Sequence, residues 1–255
     1  MLHESNSFPG KAVKMLAKKT NTILLGFEEA KSRIKNARNM VVTGNPVKMK
    51  KIEFTEEERC KALEKLDLKA DMPIILVFGG SQGAKAINEA IIDIIKNKIN
   101  NNYQIMWAAG PKQYDIIKEE LENEHISINN IQNVKIVPYI YNMEEVMNLS
   151  DVVVARSGAM TITEISIVGK PAIFIPLPNV SENHQEYNAR VLEKVGSAKI
   201  LLNKDLTANS LNENIQSIIS DKEKMIQMGK NANKVAIANV QDRIYEEIKK
   251  LVKKV

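Results

Sequence analysis

The sequence contains a single cysteine, few aromatic residues and no long apolar run. One thiol, Cys60, cannot build a disulfide framework, which favours a reducing compartment; the charged residues around it indicate an exposed helix position. No stretch reaches the length of a membrane-spanning helix, and the first residues do not form a signal peptide. Aromatic residues make up only 5% of the chain. We therefore expect no nucleic-acid partner, because nucleic-acid grooves alternate basic and stacking side chains.

The overall composition is that of a soluble globular protein with a slight excess of basic residues. Hydrophobic residues make up 44% and charged residues 26%, and the net charge is +5. Each of two lysine clusters has two interpretations. The cluster either contacts an anionic membrane surface or is the ordinary solvated end of a helix, and the second interpretation is favoured for the C-terminal cluster. These clusters are Lys11, Lys14, Lys18 and Lys19 near the start, and Lys249, Lys250, Lys253 and Lys254 at the end.

Short apolar runs alternate with helical patterns along the chain, which is typical of an α/β protein. The runs predict strands at Thr22–Leu25, Met40–Val42, Ile74–Phe78, Gln104–Ala108, Val134–Val137, Val152–Ala155, Ala172–Ile175 and Ala198–Leu201. Between them, the clearest helical pattern is the buried stripe of Ile87, Ala90, Ile91, Ile94 and Ile95. This alternation predicts a parallel sheet covered by helices on both faces, with all strand-to-helix turns at one edge.

A break at Gly44-Asn45-Pro46-Val47 divides the pattern, because proline restricts the preceding residue to extended geometry and stops a helix. The strands after the break suffice for one complete, doubly wound Rossmann-like domain, whereas those before it do not close a core of their own. We predict a partial N-terminal unit over residues 1–43, a hinge over 44–52, a complete domain over 53–236 and a C-terminal helix over 237–255 that packs back across the hinge.

Two turns that contain glycine follow two of the predicted strands. The first is Gly79-Gly80-Ser81-Gln82-Gly83, and the second is Arg156-Ser157-Gly158-Ala159-Met160-Thr161. Glycine lets the backbone approach an anion closely, and the free N–H groups at the start of a helix point at negative charge. Two such turns at the carboxyl ends of parallel strands predict a site for a nucleotide diphosphate.

Polar side chains near these turns indicate what else the site recognises. Glu164 has two interpretations: a carboxylate that accepts hydrogen bonds from ribose hydroxyls, or an acidic residue favoured by the helix dipole. A polar loop over residues 176–188 carries His184, Gln185 and Asn188, whose donors and acceptors suit sugar hydroxyls. No acidic pair and no His or Cys spacing indicates a metal, and we expect no cofactor.

Together these motifs resemble those of the MurG family of UDP-N-acetylglucosamine transferases. The resemblance extends from end to end and rests on His3-Glu4-Ser5-Asn6, Gly44-Asn45-Pro46-Val47, Gly79-Gly80-Ser81-Gln82-Gly83, Arg156-Ser157-Gly158-Ala159, Glu164, and His184-Gln185 followed by Asn188-Ala189. It implies the GT-B arrangement, in which two Rossmann-like domains enclose a cleft and no metal is needed. It also implies inverting transfer of N-acetylglucosamine from UDP-N-acetylglucosamine to lipid-linked N-acetylmuramyl-pentapeptide (lipid I to lipid II), at the cytoplasmic face of the bacterial cell membrane.

The resemblance also assigns roles to residues of this chain. It implies that Tyr139 and Ile140 flank the uracil, that Glu164 holds the ribose, and that Gln185 and Asn188, with His184, contact the sugar. The diphosphate contacts implied by the family lie at Ser81, Gln82 and Gly83 and along Arg156, Ser157, Gly158, Ala159, Met160 and Thr161.

Two positions depart from the family pattern. Lys48 stands where the family usually has arginine near the base, so the charge remains but the planar fork is lost. Ser5 replaces glutamine, which leaves Asn6, beside His3 and Glu4, as the cleft residue on the acceptor side.

Family members carry a further glycine-rich turn, with the expected catalytic base, in a segment of roughly 100 residues ahead of the part that matches Met1. We therefore expect an incomplete transferase. One alternative is the donor-binding half of a split enzyme that needs a partner polypeptide. Another is a UDP-N-acetylglucosamine 2-epimerase of the same fold, although the cleft loops supply few carboxylates for that chemistry.

Overall fold

Two parallel β-sheets form the frame of the molecule. The computed structural model describes residues 1–252, apart from the side chains of Asn129 and Ser181. The smaller sheet has the strand order β1-β2-β3, with β1 (Leu2–Glu4), β2 (Ile23–Leu25) and β3 (Met40–Val42). The larger sheet has the order β6-β5-β4-β7-β8-β9, with β4 (Ile74–Phe78), β5 (Gln104–Ala108), β6 (Val134–Val137), β7 (Val152–Ala155), β8 (Ala172–Phe174) and β9 (Ala198–Ile200). The predicted α/β class, with one complete doubly wound sheet and a partial second one, is confirmed.

Helices follow most of the strands. Within residues 1–252 they are α1 (Lys11–Leu16), α2 (Glu56–Lys65), α3 (Lys85–Lys96), α4 (Pro111–Asn123), α5 (Met143–Leu149), α6 (Ala159–Val168), α7 (His184–Lys194), α8 (Ala208–Ile219), α9 (Lys222–Asn233) and α10 (Val240–Val252). Across these residues, every helix is too short or too polar to cross a membrane. Cys60 lies exposed on α2, as predicted.

The large sheet is buried on both faces, and this explains its sequence. All five residues of β4 are buried, because α3, α4 and α8 cover one face of the sheet and α5, α6 and α7 cover the other. The predicted stripe on α3 is buried in the first of these layers. Trp107 of β5 is also fully buried there, and its indole N–H donates to Asn88 Oδ1 over 3.1 Å.

The strand order places the two glycine turns side by side. Within the large sheet, the chain enters at β4 in the middle and winds outward through β5 to β6 at one edge. It then returns to β7, on the other side of β4, and winds outward through β8 to β9 at the opposite edge. Strands β4 and β7 are paired in parallel, with Phe78 opposite Ala155. Their carboxyl ends therefore flank the point where the winding direction reverses, and ligands of open α/β sheets bind at such points.

The small sheet contains a strand that the sequence analysis missed. Leu2, His3 and Glu4 pair with Ile23, Leu24 and Leu25. The run is only three residues long and two of its residues are polar, so it carries no apolar signal of its own.

The hinge and the C-terminal segment pack against each other. Gly44 has a φ of +85°, and a Cβ at this position would lie 2.9 Å from Val240 Cγ2 and 3.1 Å from Ile237 Cβ. The last helix begins at Val240 rather than at residue 237, and it buries Glu247 while leaving Ile248 exposed. Lys249 and Lys250 form ion pairs along this helix with Glu246 and Glu247, whereas Lys253 and Lys254 lie outside the described residues.

Asn45 joins three parts of the fold through its buried side chain. Its Nδ2 donates to Ser5 O over 3.0 Å and to Thr163 Oγ1 of α6 over 3.1 Å. A Cβ at Gly26 would lie only 2.3 Å from Asn45 Oδ1, so glycine is required beside this amide. The hinge residue therefore fixes the loop after β1 to the helix that carries Glu164.

Replacing Asn45 with alanine should loosen the small sheet. The change removes two partly buried hydrogen bonds, to Ser5 O and Thr163 Oγ1, so we expect the free energy of unfolding to fall by about 1–3 kcal/mol. Amide hydrogen exchange should accelerate across β1 and β2, which chemical denaturation and exchange mass spectrometry would measure. The control is Asn102→Ala, because this exposed amide bonds only Gln216 at the surface. Equal stability of the two variants would contradict the role given to Asn45.

Candidate nucleotide-diphosphate site

A cavity of about 500 Å³ lies between the two glycine turns. Its walls come from the turn after β4 and the turn after β7, and its rim comes from the loop that precedes α7. The lining residues include Gly79, Gly80, Gly83, Arg156, Gly158, Thr161, Gln185 and Asn203. The two turns predicted from the sequence thus share one cavity at the reversal point of the large sheet.

The first turn depends on glycine for steric reasons. Gly83 has a φ of +77°, and a Cβ there would lie 2.2 Å from the carbonyl oxygen of Ala109. A Cβ at Gly79 would lie 2.3 Å from the backbone nitrogen of Ala84, at the start of α3. Ser81 and Gln82 are exposed between these glycines. The turn is therefore packed tightly against β5 and α3 from behind, while its middle faces solvent.

The second turn leads directly into α6. Gly158 is the residue before the helix, and no side chain caps the first turn of the helix. The N–H groups of Ala159, Met160 and Thr161 have no partner within the helix, because the first turn of an α-helix never does. An anion in the adjoining cavity would satisfy them and would interact favourably with the helix dipole.

Arg156 supplies positive charge at the cavity wall. Its Nη1 donates to the carbonyl oxygens of Ile175 and Pro176 over 2.9 and 3.1 Å, and to Asn203 Oδ1 over 2.9 Å. Its buried Nε has no hydrogen-bond partner among residues 1–252, nor does any carboxylate in that range pair with the guanidinium. Burial lowers the pKa of Arg156, although an arginine stays charged at neutral pH. The site therefore holds an uncompensated cation that an anionic ligand would stabilise.

Glu164 lies on α6, beyond the first turn of the helix. The first turn of α6 contains no acidic residue, because Glu164 is one turn further along. The helix dipole acts mainly within the first turn, so it does not account for this carboxylate. Burial raises the pKa of Glu164, and the side chain has no hydrogen bond or ion pair within the described part of the chain. A half-buried carboxylate without a partner is suited to accept hydrogen bonds from a ligand.

We expect the affinity for UDP-N-acetylglucosamine to fall as the pH drops through the raised pKa of Glu164. Only the ionised carboxylate can accept both ribose hydroxyls. Affinity should therefore be constant above this pKa and should fall by about tenfold per pH unit below it. The nucleotide sugar is the suitable ligand, because its terminal phosphate is esterified and does not titrate as that of UDP does.

Calorimetry in buffers of different ionisation enthalpy would measure the proton released on binding. Glu164→Gln serves as the control, since it should remove the pH dependence together with the proton release. An affinity of the wild-type chain that stays constant between about pH 4 and pH 8 would contradict this assignment.

The predicted sugar-binding residues have different environments. Gln185 lines the cavity, and its Oε1 accepts a hydrogen bond from Leu177 N over 2.9 Å. Asn188 is fully buried: its Oδ1 accepts from Ser7 N over 2.9 Å, and its Nδ2 donates to Asn6 Oδ1 over 3.0 Å and to Ser157 O over 3.2 Å. Both amide hydrogens of Asn188 are thus used inside the protein. His184 is the first residue of α7, so the polar loop predicted over residues 176–188 is helical from residue 184 onward.

The residues expected on the acceptor side also serve the fold. The buried carboxylate of Glu4 accepts hydrogen bonds from the backbone N–H groups of Asn6 and Gly10, over 2.9 and 2.8 Å. His3 Nε2 donates to the carbonyl oxygen of Gly44 over 3.2 Å. These contacts hold the loop after β1 against the hinge.

The residues expected around the base do not line this cavity. Tyr139 is 44% exposed and Ile140 is 6% exposed, both after β6. Lys48 lines a different cavity, of about 650 Å³, beside Glu144 and Ile167. Among residues 1–252, no group of three or more His, Cys, Asp or Glu side chains is arranged to hold a metal ion.

Asn203 was not predicted to belong to the site, although it lines the cavity and bonds Arg156. It lies after β9, the strand next to β8 in the sheet. Its position at the same sheet edge was the only available signal, and its sequence neighbours form no motif.

Comparison with known proteins agrees with the site. The family model of the glycosyltransferase family 28 C-terminal domain matches residues 74–244. This range contains all six strands of the large sheet and both walls of the cavity. The fold, the site and this match together define a glycosyltransferase.

Individual relatives show which family of glycosyltransferases the chain belongs to. A protein of Acetivibrio thermocellus is 38% identical over 99% of this chain, which corresponds to 67% of the relative. It is named UDP-N-acetylglucosamine–N-acetylmuramyl-(pentapeptide) pyrophosphoryl-undecaprenol N-acetylglucosamine transferase. The crystal structure of Acinetobacter baumannii MurG superposes with a TM-score of 0.75 and 26% identity, covering 98% of this chain and 66% of that one. The chain belongs to the MurG family of glycosyltransferases.

The chain spans about two thirds of the length of these relatives. A Listeria monocytogenes structure described as a UDP-N-acetylglucosamine 2-epimerase also superposes, with a TM-score of 0.63 and 15% identity, over 92% of this chain and 61% of that one. That likeness shows the shared fold alone, whereas the 38% identity is to a transferase.

Proposed function

We propose that this chain binds UDP-N-acetylglucosamine with its diphosphate in the cavity between the two glycine turns. In this role it is the donor-binding part of a transferase that moves N-acetylglucosamine to a lipid-linked N-acetylmuramyl-pentapeptide. The observation that carries the proposal is that Arg156, whose buried Nε has no partner within the described residues, and the uncapped start of α6 at Gly158 and Thr161 line one cavity. The identity of the donor and acceptor comes from the names of the relatives.

The proposed contacts follow the chemistry of the ligand. The diphosphate accepts hydrogen bonds from the backbone of Ala159, Met160 and Thr161 and from Ser81. Arg156 adds charge, and Glu164 accepts hydrogen bonds from the ribose. Uracil extends from the cavity towards Tyr139 and the backbone of Ile140. Lys48 is given no contact, because it lines the separate, larger cavity. Gln185 contacts the sugar, with His184 beside it. Asn188 takes a positioning role, because its amide hydrogens are already bonded.

The proposed reaction is a direct displacement at C1 of N-acetylglucosamine. The 4-hydroxyl oxygen of the acceptor forms a bond to C1 while the bond from C1 to the UDP oxygen breaks, and the bonding electrons leave with UDP. The N–H groups of α6 and the guanidinium of Arg156 stabilise the negative charge that develops on the leaving diphosphate. A base takes the hydroxyl proton, and no residue of this chain is assigned to that step.

We place the protein at the cytoplasmic face of the bacterial membrane as a peripheral protein. Lys11, Lys14, Lys18 and Lys19 lie on and after α1, where Met15 is 74% exposed and Leu16 is 44% exposed. Exposed apolar residues among lysines suit the surface of an anionic bilayer, where each cation adds attraction. Co-sedimentation with anionic and neutral vesicles would test this placement.

Isothermal titration calorimetry would test the proposed donor site. We expect UDP and UDP-N-acetylglucosamine to bind with one site per chain. GDP is the matched control, because it keeps the diphosphate and ribose but replaces uracil with a purine, and it should bind at least about tenfold more weakly. Failure of both uridine ligands to bind would contradict the proposal. If GDP binds as tightly as UDP, the residues assigned to uracil are wrong, whereas the proposed diphosphate site stands.

A further inference from the structure

Two aromatic rings and a guanidinium form a cluster where the small sheet meets α7. The rings of Phe8 and Tyr187 are stacked, with centroids 4.5 Å apart and planes 27° from parallel. Arg33 Cζ lies 5.2 Å from the centroid of Phe8 and 4.8 Å from that of Tyr187. The Nη1 of Arg33 also donates to Ser7 O over 2.6 Å. We name Phe8, Arg33 and Tyr187 the aromatic clamp.

The aromatic clamp connects segments that are far apart in the chain. Phe8 lies in the loop after β1, Arg33 ends the short helical segment Glu28–Arg33 after β2, and Tyr187 lies in the first turn of α7. A salt bridge of 3.7 Å from Lys14 to Glu182 runs beside it. The clamp therefore fixes the start of α7 to the small sheet.

The loop ahead of α7 contains two neighbouring residues in a strained backbone conformation. Glu182 and Asn183 have φ values of 58° and 49°, in the left-handed region that residues with a side chain rarely adopt. Such a conformation persists only where surrounding contacts hold it. Lys14 pairs with Glu182, and Asn183 Nδ2 donates to Glu186 Oε2 over 2.7 Å. Tyr187 and Asn188 anchor the start of α7 to the segment after β1, and Gln185 lies between the loop and these anchors.

We infer that the aromatic clamp positions Gln185 at the rim of the cavity and thereby sets the affinity for the sugar of the donor rather than for its nucleotide. The inference rests on the proposed function of the cavity. Phe8, Arg33 and Tyr187 are positioning residues, because none of them lines the cavity. The proposed diphosphate and ribose contacts lie on α6 and on the turn after β4, and within residues 1–252 the ring-stacking and cation–π contacts of the clamp involve neither element.

The test compares two ligands in the same variant. Tyr187→Leu removes the stacked ring and the cation–π contact but keeps an apolar side chain. We expect the dissociation constant of UDP-N-acetylglucosamine to rise by about five- to tenfold, while that of UDP stays within about twofold. Tyr187→Phe is the matched control and should match the wild type for both ligands, because the Tyr187 hydroxyl makes no hydrogen bond within residues 1–252. Calorimetry with each ligand gives the ratio of the dissociation constant of UDP-N-acetylglucosamine to that of UDP.

The outcomes separate this inference from the proposed function. If the wild-type chain binds UDP but Tyr187→Leu shifts both ligands equally, or shifts neither, the inference is overturned and the proposed function stands. If the wild-type chain binds no UDP, the proposed function fails and the inference fails with it. Should Tyr187→Leu not fold, as judged by circular dichroism, Phe8→Leu and Arg33→Gln carry the test with the same expected ratio.

Discussion

Replacing Glu164 with alanine is expected to weaken UDP binding by on the order of a hundredfold, because two charge-assisted hydrogen bonds to the ribose are lost. The carboxylate has no hydrogen bond or ion pair within the described residues, so its removal breaks neither kind of interaction in the free protein. Titration calorimetry with UDP measures the effect directly. Glu164→Gln keeps one acceptor oxygen and should lose less affinity than the alanine variant.

The ligand itself supplies a sharper control for Glu164. Replacing UDP with 2′-deoxy-UDP removes one ribose hydroxyl, which should weaken binding to the wild-type chain but have little effect on Glu164→Ala. Such a double-mutant cycle between protein and ligand isolates the contact. If Glu164→Ala loses affinity equally for both ligands relative to the wild type, the carboxylate does not bind that hydroxyl.

The stability of the Glu164 variants should change in the opposite direction from their affinity. Burial raises the pKa of Glu164 in the folded chain above its unfolded value. The ionised form is therefore penalised in the folded state at every pH above the raised pKa. The penalty disappears as the pH falls through that pKa towards the unfolded one. At neutral pH, Glu164→Gln should be at least as stable as the wild type in thermal denaturation.

Gly83→Ala should damage both folding and ligand binding. The new Cβ would lie 2.2 Å from a backbone oxygen and would require a φ of +77°, so the turn after β4 must move. We expect a loss of roughly 3 kcal/mol or more in the free energy of unfolding, and no measurable UDP binding. Chemical denaturation and calorimetry on the same sample give the two values.

Two other glycines provide matched controls for Gly83. Gly80 also has a positive φ, of +90°, but a Cβ there would contact nothing within 4 Å. Gly80→Ala should therefore cost only about 1 kcal/mol, the conformational term alone. Gly158 has no positive φ, and a Cβ there would have room, so Gly158→Ala should lower the free energy of unfolding by less than about 1 kcal/mol. Because Gly158 lines the cavity, the added methyl group should nevertheless weaken UDP binding. Equal stabilities of the Gly83 and Gly80 variants would contradict the steric argument.

The large sheet could be predicted from the sequence because its strands are mostly apolar runs, and its four central strands, β5, β4, β7 and β8, are buried throughout. In β4, Ile74 to Phe78 are all apolar, and the turns that follow β4 and β7 carry glycine where the backbone needs it. The parallel pairing then forces both turns to the same edge. Strand β1 could not be predicted, because Glu4 is buried by hydrogen bonds to backbone N–H groups rather than by apolar packing.

The environments of individual polar side chains could not be predicted, because their partners are distant in the sequence. Asn188 bonds Asn6 and Ser7, which are more than 180 positions away. The same limit applies to Lys48, which the hinge directs towards Glu144 and the larger cavity. Motif spacing identifies the residue types of a site, whereas only tertiary packing determines which amides remain available to a ligand.

A crystal structure of this chain with UDP-N-acetylglucosamine bound tests the central claim most directly. We predict that the diphosphate lies against the N–H groups of Ala159, Met160 and Thr161, with Arg156 beside it and the ribose on Glu164. Ligand density in the larger cavity lined by Lys48, with the space between the two glycine turns left open, would contradict the account.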